Sequence, residues 1–195
     1  MLIRTGVAAI AGFAGGSLLA GFLVFGPLDI GGLRDGPWRT NLLIGDSEAG
    51  PMPRAIIARR GLLALNRSEA VYFNATSDDS GRRLDEDCAY RVTFVQEPDS
   101  RWWSLTLYAG DDYLAVNGDD AASVTADQAA ASAENPMAVL VSASRPDGRS
   151  YWMSSRNAGD FALTLRLYQP APAISDDPAL AELPSIERLS CGGGS

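Results

Sequence analysis

The chain has 195 residues, with 16 basic residues against 24 acidic ones, no histidine, and a net charge of −8; every basic residue is arginine. Without His there is no Ser–His or Cys–His nucleophile pair, no HExxH zinc site and no imidazole pH switch, and without Lys there is no Schiff base and no Walker A loop. Enzyme chemistry would have to run on carboxylates, Tyr, Arg, Ser or a thiolate, so the composition leans against an enzyme, and no cofactor or metal site is expected.

Residues 6–26, GVAAIAGFAGGSLLAGFLVFG, carry no charge. At about 1.5 Å of rise per residue this run reaches roughly 31 Å as a helix, the thickness of a bilayer's hydrocarbon core. It exceeds the roughly 7–15 apolar residues of a signal peptide and closes on Phe22-Leu23-Val24-Phe25-Gly26-Pro27 without a small-x-small cleavage site. Residues 1–26 are therefore expected to be a retained transmembrane anchor. Arg4 precedes the run, whereas Asp29, Arg34 and Asp35 follow it without net positive charge. The positive-inside rule then leaves the first residues in the cytoplasm and the domain in the periplasm, as a single-pass inner-membrane protein. Gly12 and Gly16 form a small-xxx-small pair through which two helices can pack as a homodimer, although such residues are common in membrane helices anyway.

Residues 27–37, rich in Gly and Pro, read as a flexible linker, and the domain is expected over 38–190 with a frayed tail at 191–195. Residues 27–195 hold 15 Arg against 24 acids, a balance that argues against nucleic acid and anionic lipid and suits a soluble surface. Pro51 to Leu65 is the one convincing soluble helix, with Pro in its first turn and Ile56, Ile57, Leu62, Leu63 and Leu65 as an apolar stripe.

Beyond it the period switches to two. Tyr90, Val92 and Phe94 share one face, as do Trp103, Leu105 and Leu107, and Phe161, Leu163, Leu165 and Leu167. Residues 70–73, 139–141 and 185–189 read as shorter strands, whereas 121–133 reads as a loop or a short surface helix. Turn residues separate the strands at Asp78–Gly81, Asn117-Gly118, Pro146–Gly148 and Asn157–Gly159. Short strands without alternating helices indicate an antiparallel sandwich or barrel.

Five stretches carry a family resemblance: GPWRTN at 36–41, RAIIARRGLLALNRSEAVYF at 54–73, RWWSLTLY at 101–108, FALTLRLYQP at 161–170 and LPSIERLSC at 183–191. In order and spacing the chain resembles the family catalogued as domain of unknown function 1214, in its short bacterial form with one membrane helix. The resemblance implies a jelly-roll-like β-sandwich and no activity. It is weakest at YWMSS (151–155) and at Leu84-Asp85-Glu86, where this chain departs from the family pattern.

Cys88 precedes one predicted strand and Cys191 follows the last; in an oxidising compartment such an even pair reads as a disulfide, with two buried thiols or a reactive Cys as alternatives. Acidic residues cluster at Asp78-Asp79, Asp85–Asp87, Asp111-Asp112, Asp119-Asp120 and Asp176-Asp177. Two of them can flank a sugar as acid and base, but turns and solvated edges use the same residues. On the second face of the aromatic strands, Trp102, Thr106, Tyr108, Arg166 and Tyr168 can form a platform for sugar rings or an apolar ligand, unless that face is covered. The reading is an envelope protein that binds or assembles with a protein or glycan, the alternatives being a carboxylate-dependent enzyme on an envelope glycan and a carrier of a small apolar ligand.

Overall fold

The computed structural model describes residues 2–25, 32–42, 48, 50–59, 65–130, 137–148 and 151–192. In chain order these form α1 (Leu2–Phe25), β1 (Gly32–Asp35), β2 (Trp38–Asn41), α2 (Pro51–Arg59), β3 (Ala70–Ala75), β4 (Cys88–Phe94) and β5 (Ser100–Ala109). There follow β6 (Ser123–Thr125), α3 (Ala126–Ala130), β7 (Met137–Ser142), β8 (Tyr151–Ser154), β9 (Phe161–Pro170), α4 (Pro172–Asp176), a 3-10 turn (Pro178–Leu180) and β10 (Ser185–Cys191). The protein is mainly β.

The strands make a six-stranded sheet, in the order β1-β2-β3-β9-β5-β6, and a four-stranded sheet, β10-β4-β7-β8. Period-two alternation decides which side of each strand faces inward. All the inward sets expected on β4, β5 and β9 are buried, with Leu163 and Leu165 at 0 % exposure in the strand at the sheet's centre. The two sheets pack face to face over one core. Phe94 of β4 stacks on Trp103 of β5 with centroids 4.9 Å apart, and Tyr90 of β4 meets Phe161 of β9 edge-on at 5.7 Å. Such aromatic pairs add about 0.5–1.5 kcal/mol each beyond their burial. Trp38 of β2 is buried and donates its indole N–H to the Pro184 carbonyl at 2.7 Å, so its one polar atom ties β2 to the entry of β10.

Several elements differ from their sequence patterns. Gly32–Asp35, within the expected linker, is a strand paired with β2 around Gly36, whose φ of +54° suits a residue without Cβ. Its side chains are mostly exposed, so no alternation marks it. The helix at Pro51 runs to Arg59; Gly61, Leu62 and Leu63 lie outside the described residues, and Leu65 stands outside the helix, exposed. The stretch from Ala121 contains both β6 and α3, and residues 131–133 lie outside the described residues. The pairing of β7 with β8 is parallel, Val139 opposite Tyr151, whereas every other named strand pair is antiparallel. The two strands therefore do not form a hairpin. Cys191, expected in the tail, is the last residue of β10.

Helix α1 is 24 residues long. Among the described residues no helix is long and apolar enough to cross a membrane; in α1 the described side chains are Gly6 and the run 10–23.

Because β9 is central and Leu165 fully buried, Leu165→Ala is expected to cost about 2–5 kcal/mol by lost transfer energy and cavity formation. Chemical denaturation checks this, and a loss below about 1 kcal/mol would show that the core relaxes around the site.

Candidate functional site

The outward face of the six-stranded sheet is set by the same alternation that fills the core. On β5 it carries Trp102, Ser104, Thr106 and Tyr108; on β9, Thr164, Arg166 and Tyr168; on β3, Tyr72 and Asn74. Register brings them into rows: Trp102 opposite Tyr168, Ser104 opposite Arg166 and then Tyr72, and Thr106 opposite Thr164 and then Asn74. The five residues expected on this face thus share it. Trp102 and Tyr168 touch with centroids 5.3 Å apart, and the Trp102 indole N–H donates to Asp127 of α3 at 2.9 Å. Arg166 runs along the strand direction and donates to the Tyr108 hydroxyl at 2.7 Å, with its guanidinium 5.2 Å from the Tyr108 ring and 6.0 Å from Tyr72.

Burial divides the face. Ser104, Thr106 and Thr164 are buried beneath these long side chains, and Thr164 donates its hydroxyl proton to Asn74 Oδ1 at 2.7 Å. Trp102, Tyr108, Arg166 and Tyr168 are only partly buried, so they form the accessible layer, and Thr106 is a floor rather than a contact. Tyr72 joins this face through its register opposite Arg166, since a short strand at 70–73 has no side of its own until it is paired. Burial pushes its hydroxyl above the ordinary value, opposed by a hydrogen bond with the Leu65 backbone and by the Arg166 charge, so it is a neutral phenol at physiological pH.

At the edge of the same sheet, Arg34 of β1 stands directly opposite Arg39 of β2, and Arg39 pairs with Asn74 on the outward face. Both arginines are exposed. Like charges directly opposite on a sheet repel. Among the described residues neither they nor Arg166 form an ion pair with a carboxylate.

The acidic clusters do local work instead. Asp78 accepts from the backbone N–H groups of Ser80 and Arg82, Asp85 from Asp87, Asp111 from Tyr113 and Asp177 from Ala179, each closing a turn around its own side chain. Asp119 pairs with Arg156 and accepts the Ser154 hydroxyl proton at 2.6 Å. No group of three potential metal-ligating side chains occurs among the described residues.

A second cluster lies at the end of the four-stranded sheet. Cys88 and Cys191, directly opposite in β4 and β10, form a disulfide. Arg188 of β10 donates Nε to Asp78 Oδ2 at 2.7 Å; the Asp78 side chain is 1 % exposed. Burial pushes the Asp78 carboxyl up, but hydrogen bonds from Ser80, Arg188 and Arg82 and the Arg188 charge outweigh it and hold it below the ordinary range. Its neighbour Asp79 accepts from the Ile186 N–H at 2.9 Å, yet burial and the charges of Asp78 and Glu187 push its carboxyl up. Arg188 and Asp78 lie 110 positions apart in the sequence, and the pairing of β10 with β4 brings them together.

Residues 69–172 match the family described as "Protein of unknown function (DUF1214)", and the chain belongs to that family. No curated protein matches it. Among solved structures it is similar to the VPA0106 protein of Vibrio parahaemolyticus, with 24 % identity and a TM-score of 0.56, over 72 % of this chain and 36 % of that one. That likeness supports the fold alone. An uncharacterized protein from Burkholderia cenocepacia gives 16 % identity and a TM-score of 0.43, over 62 % of this chain and 29 % of that one. The chain thus spans about a third of the length of these solved relatives.

A depressed carboxyl pKa contributes stability that is present above its unfolded value and lost as pH falls through the folded one. Asp78→Asn is therefore expected to lower stability by roughly 3–5 kcal/mol at neutral pH, by stripping Arg188 of its buried partner. The gap between wild type and variant should narrow as pH drops below the ordinary carboxylate range, as followed by urea denaturation at a series of pH values. A gap independent of pH would remove Asp78 from the acid response.

Proposed function

We propose that this member of the DUF1214 family is an envelope protein: a single-span inner-membrane anchor, with Arg4 in the cytoplasm, presenting a jelly-roll-like binding or assembly module to the periplasm. The observation that carries the binding role is the outward face, where Trp102, Tyr108, Arg166 and Tyr168 are ordered by contacts with one another yet remain accessible. Ordered aromatic rings with a held guanidinium offer stacking surface and directed donors at small entropic cost. Arg34 and Arg39 extend the face with cations that lack an ion-pair partner among the described residues, on a domain otherwise rich in acid. That chemistry suits a hydroxyl-rich or anionic envelope partner, a glycan or an acidic protein segment.

The anchor is supported by α1 itself. Most of its described large side chains are exposed, Phe13 at 79 % and Ile10 at 72 %, a display of apolar surface that water disfavours and lipid does not. Among the described residues nothing would lie within 4 Å of a Cβ at Gly12 or Gly16, which leaves the small-residue face open to a second copy.

Binding is favoured over glycan hydrolysis because a hydrolase needs two free carboxyls flanking one bond, whereas most of the acidic clusters contribute carboxyls that close turns or pair with arginine. It is favoured over an apolar carrier because Trp103, Phe94 and the leucines of β9 fill the space between the sheets.

A thermal-shift screen of the purified chain against sugars, nucleotides, metals and fatty acids is expected to raise the midpoint with an envelope-glycan fragment. Trp102→Ala and Arg166→Ala should each weaken that ligand about tenfold or more without unfolding the domain. A midpoint rise that both variants retain would move the binding site off this face.

A further inference from the structure

Residues three apart in a regular strand point to opposite faces, yet Arg188 and Cys191 share one. The register shift between Arg188 and Ser190 supplies the extra residue, so Arg188 stands opposite Tyr90 while Cys191 stands opposite Cys88. The bulge aims a guanidinium at the disulfide. It lies 5.1 Å from the Tyr90 ring, held by Asp78 through Nε and by the Arg83 carbonyl through Nη2. Its remaining nitrogen, Nη1, is 3.2 Å from Cys88 Sγ and 3.6 Å from Cys191 Sγ.

A sulfur in a disulfide is neutral and a weak acceptor; a thiolate in the same place carries a full charge. A cation fixed there stabilises the reduced state more than the oxidised one, and Cys88 more than Cys191. Access is unequal in the complementary sense, since Cys88 is buried at 6 % and Cys191 is exposed. One sulfur is open to attack and the other is prepared to leave.

We propose that Cys88–Cys191 is a thiol–disulfide exchange site that accepts electrons from a dithiol, with Arg188 as the positioning residue that stabilises the leaving thiolate. A partner thiolate attacks Cys191 Sγ; the bond between the two cysteine sulfurs breaks, and its electron pair goes to Cys88 Sγ beside Arg188. The partner is then joined to Cys191 in a mixed disulfide. The partner's second thiolate attacks its own linked sulfur, closing the partner's disulfide and expelling Cys191 as a thiolate that takes a proton from water. Two electrons pass from dithiol to protein, and no other co-reactant is needed. Reduction leaves β10 paired to β4 over Ser185–Arg188, so the strand keeps its place while its end is freed. The site stands apart from the outward face and does not depend on what that face binds.

The full chain is reduced with dithiothreitol, and the rate is followed for wild type and Arg188→Met. Wild type is expected to react roughly tenfold faster, because a leaving thiol of lower pKa departs faster. The groups facing the sulfurs are Arg188, Asp78 and Tyr90, with the Asp87 carbonyl on the Gly192 N–H. In the reduced wild-type chain the first thiol is accordingly expected to ionise below the ordinary value of about 8.5, read from thiolate absorbance. If Arg188→Met does not fold, this titration decides alone. Equal reduction rates, or a first thiol ionising at or above the ordinary value, overturn the proposal.

Discussion

Strand β9 is hydrogen-bonded along both edges, to β3 on one side and β5 on the other, while its inward leucines lie in the core. A strand so placed cannot satisfy its backbone or its side chains locally, because both sets of partners come from distant sequence. Every other part of the six-stranded sheet is referred to it. β3 brings β2 and then β1, β5 brings β6, and the inward faces of β5 and β9 supply the rings on which the second sheet closes. The aromatic outward face is the reverse side of the same strands. The burial that fixes Leu163, Leu165 and Leu167 on one side also fixes Arg166 and Tyr168 on the other, since a pleated strand cannot rotate one without the other.

The four-stranded sheet has a different closure. Its strand β10 is an edge, paired with a neighbouring strand on one side alone, where pairing is more readily lost than at the centre. Here the 78–79 turn reaches across it: Asp79 exchanges backbone and side-chain bonds with Ile186, Asp78 grips Arg188, and the disulfide fastens the end. The ion pair is nearly dry on the Asp78 side, and the carboxylate is surrounded by donors, which is the condition under which a buried charge pair is tolerated. The same guanidinium that closes this latch touches the sulfurs, so the mechanical and redox roles of the corner are carried by one side chain.

The acidic character of the chain takes on a local meaning in this setting. Aspartates and asparagines at the turns accept backbone N–H groups two residues on, which explains their positions without recourse to catalysis. What is unusual is where the cations stand. Arg83, Arg91, Arg156 and Arg188 are matched with carboxylates, whereas Arg34, Arg39 and Arg166 gather on the outward face and are not, among the described residues.

Alternation by itself determined the β class, the inward residues of β4, β5 and β9, and the company of Trp102, Tyr108, Arg166 and Tyr168, because side-chain direction in a regular strand follows from parity alone. The two cysteines could be matched by number, as no third one competed. Only the tertiary structure decided the rest, because the deciding contact lies on a partner strand or breaks parity. Gly32–Asp35 is a strand because β2 is beside it, not because its own side chains alternate. Tyr151–Ser154 runs parallel to β7, a choice that its short sequence does not encode. Tyr72 acquired a side only when β3 took its register against β9. Arg188 meets the disulfide because one extra residue in β10 inverts the parity between them, and a search for a histidine beside a cysteine passes over an arginine delivered by a bulge.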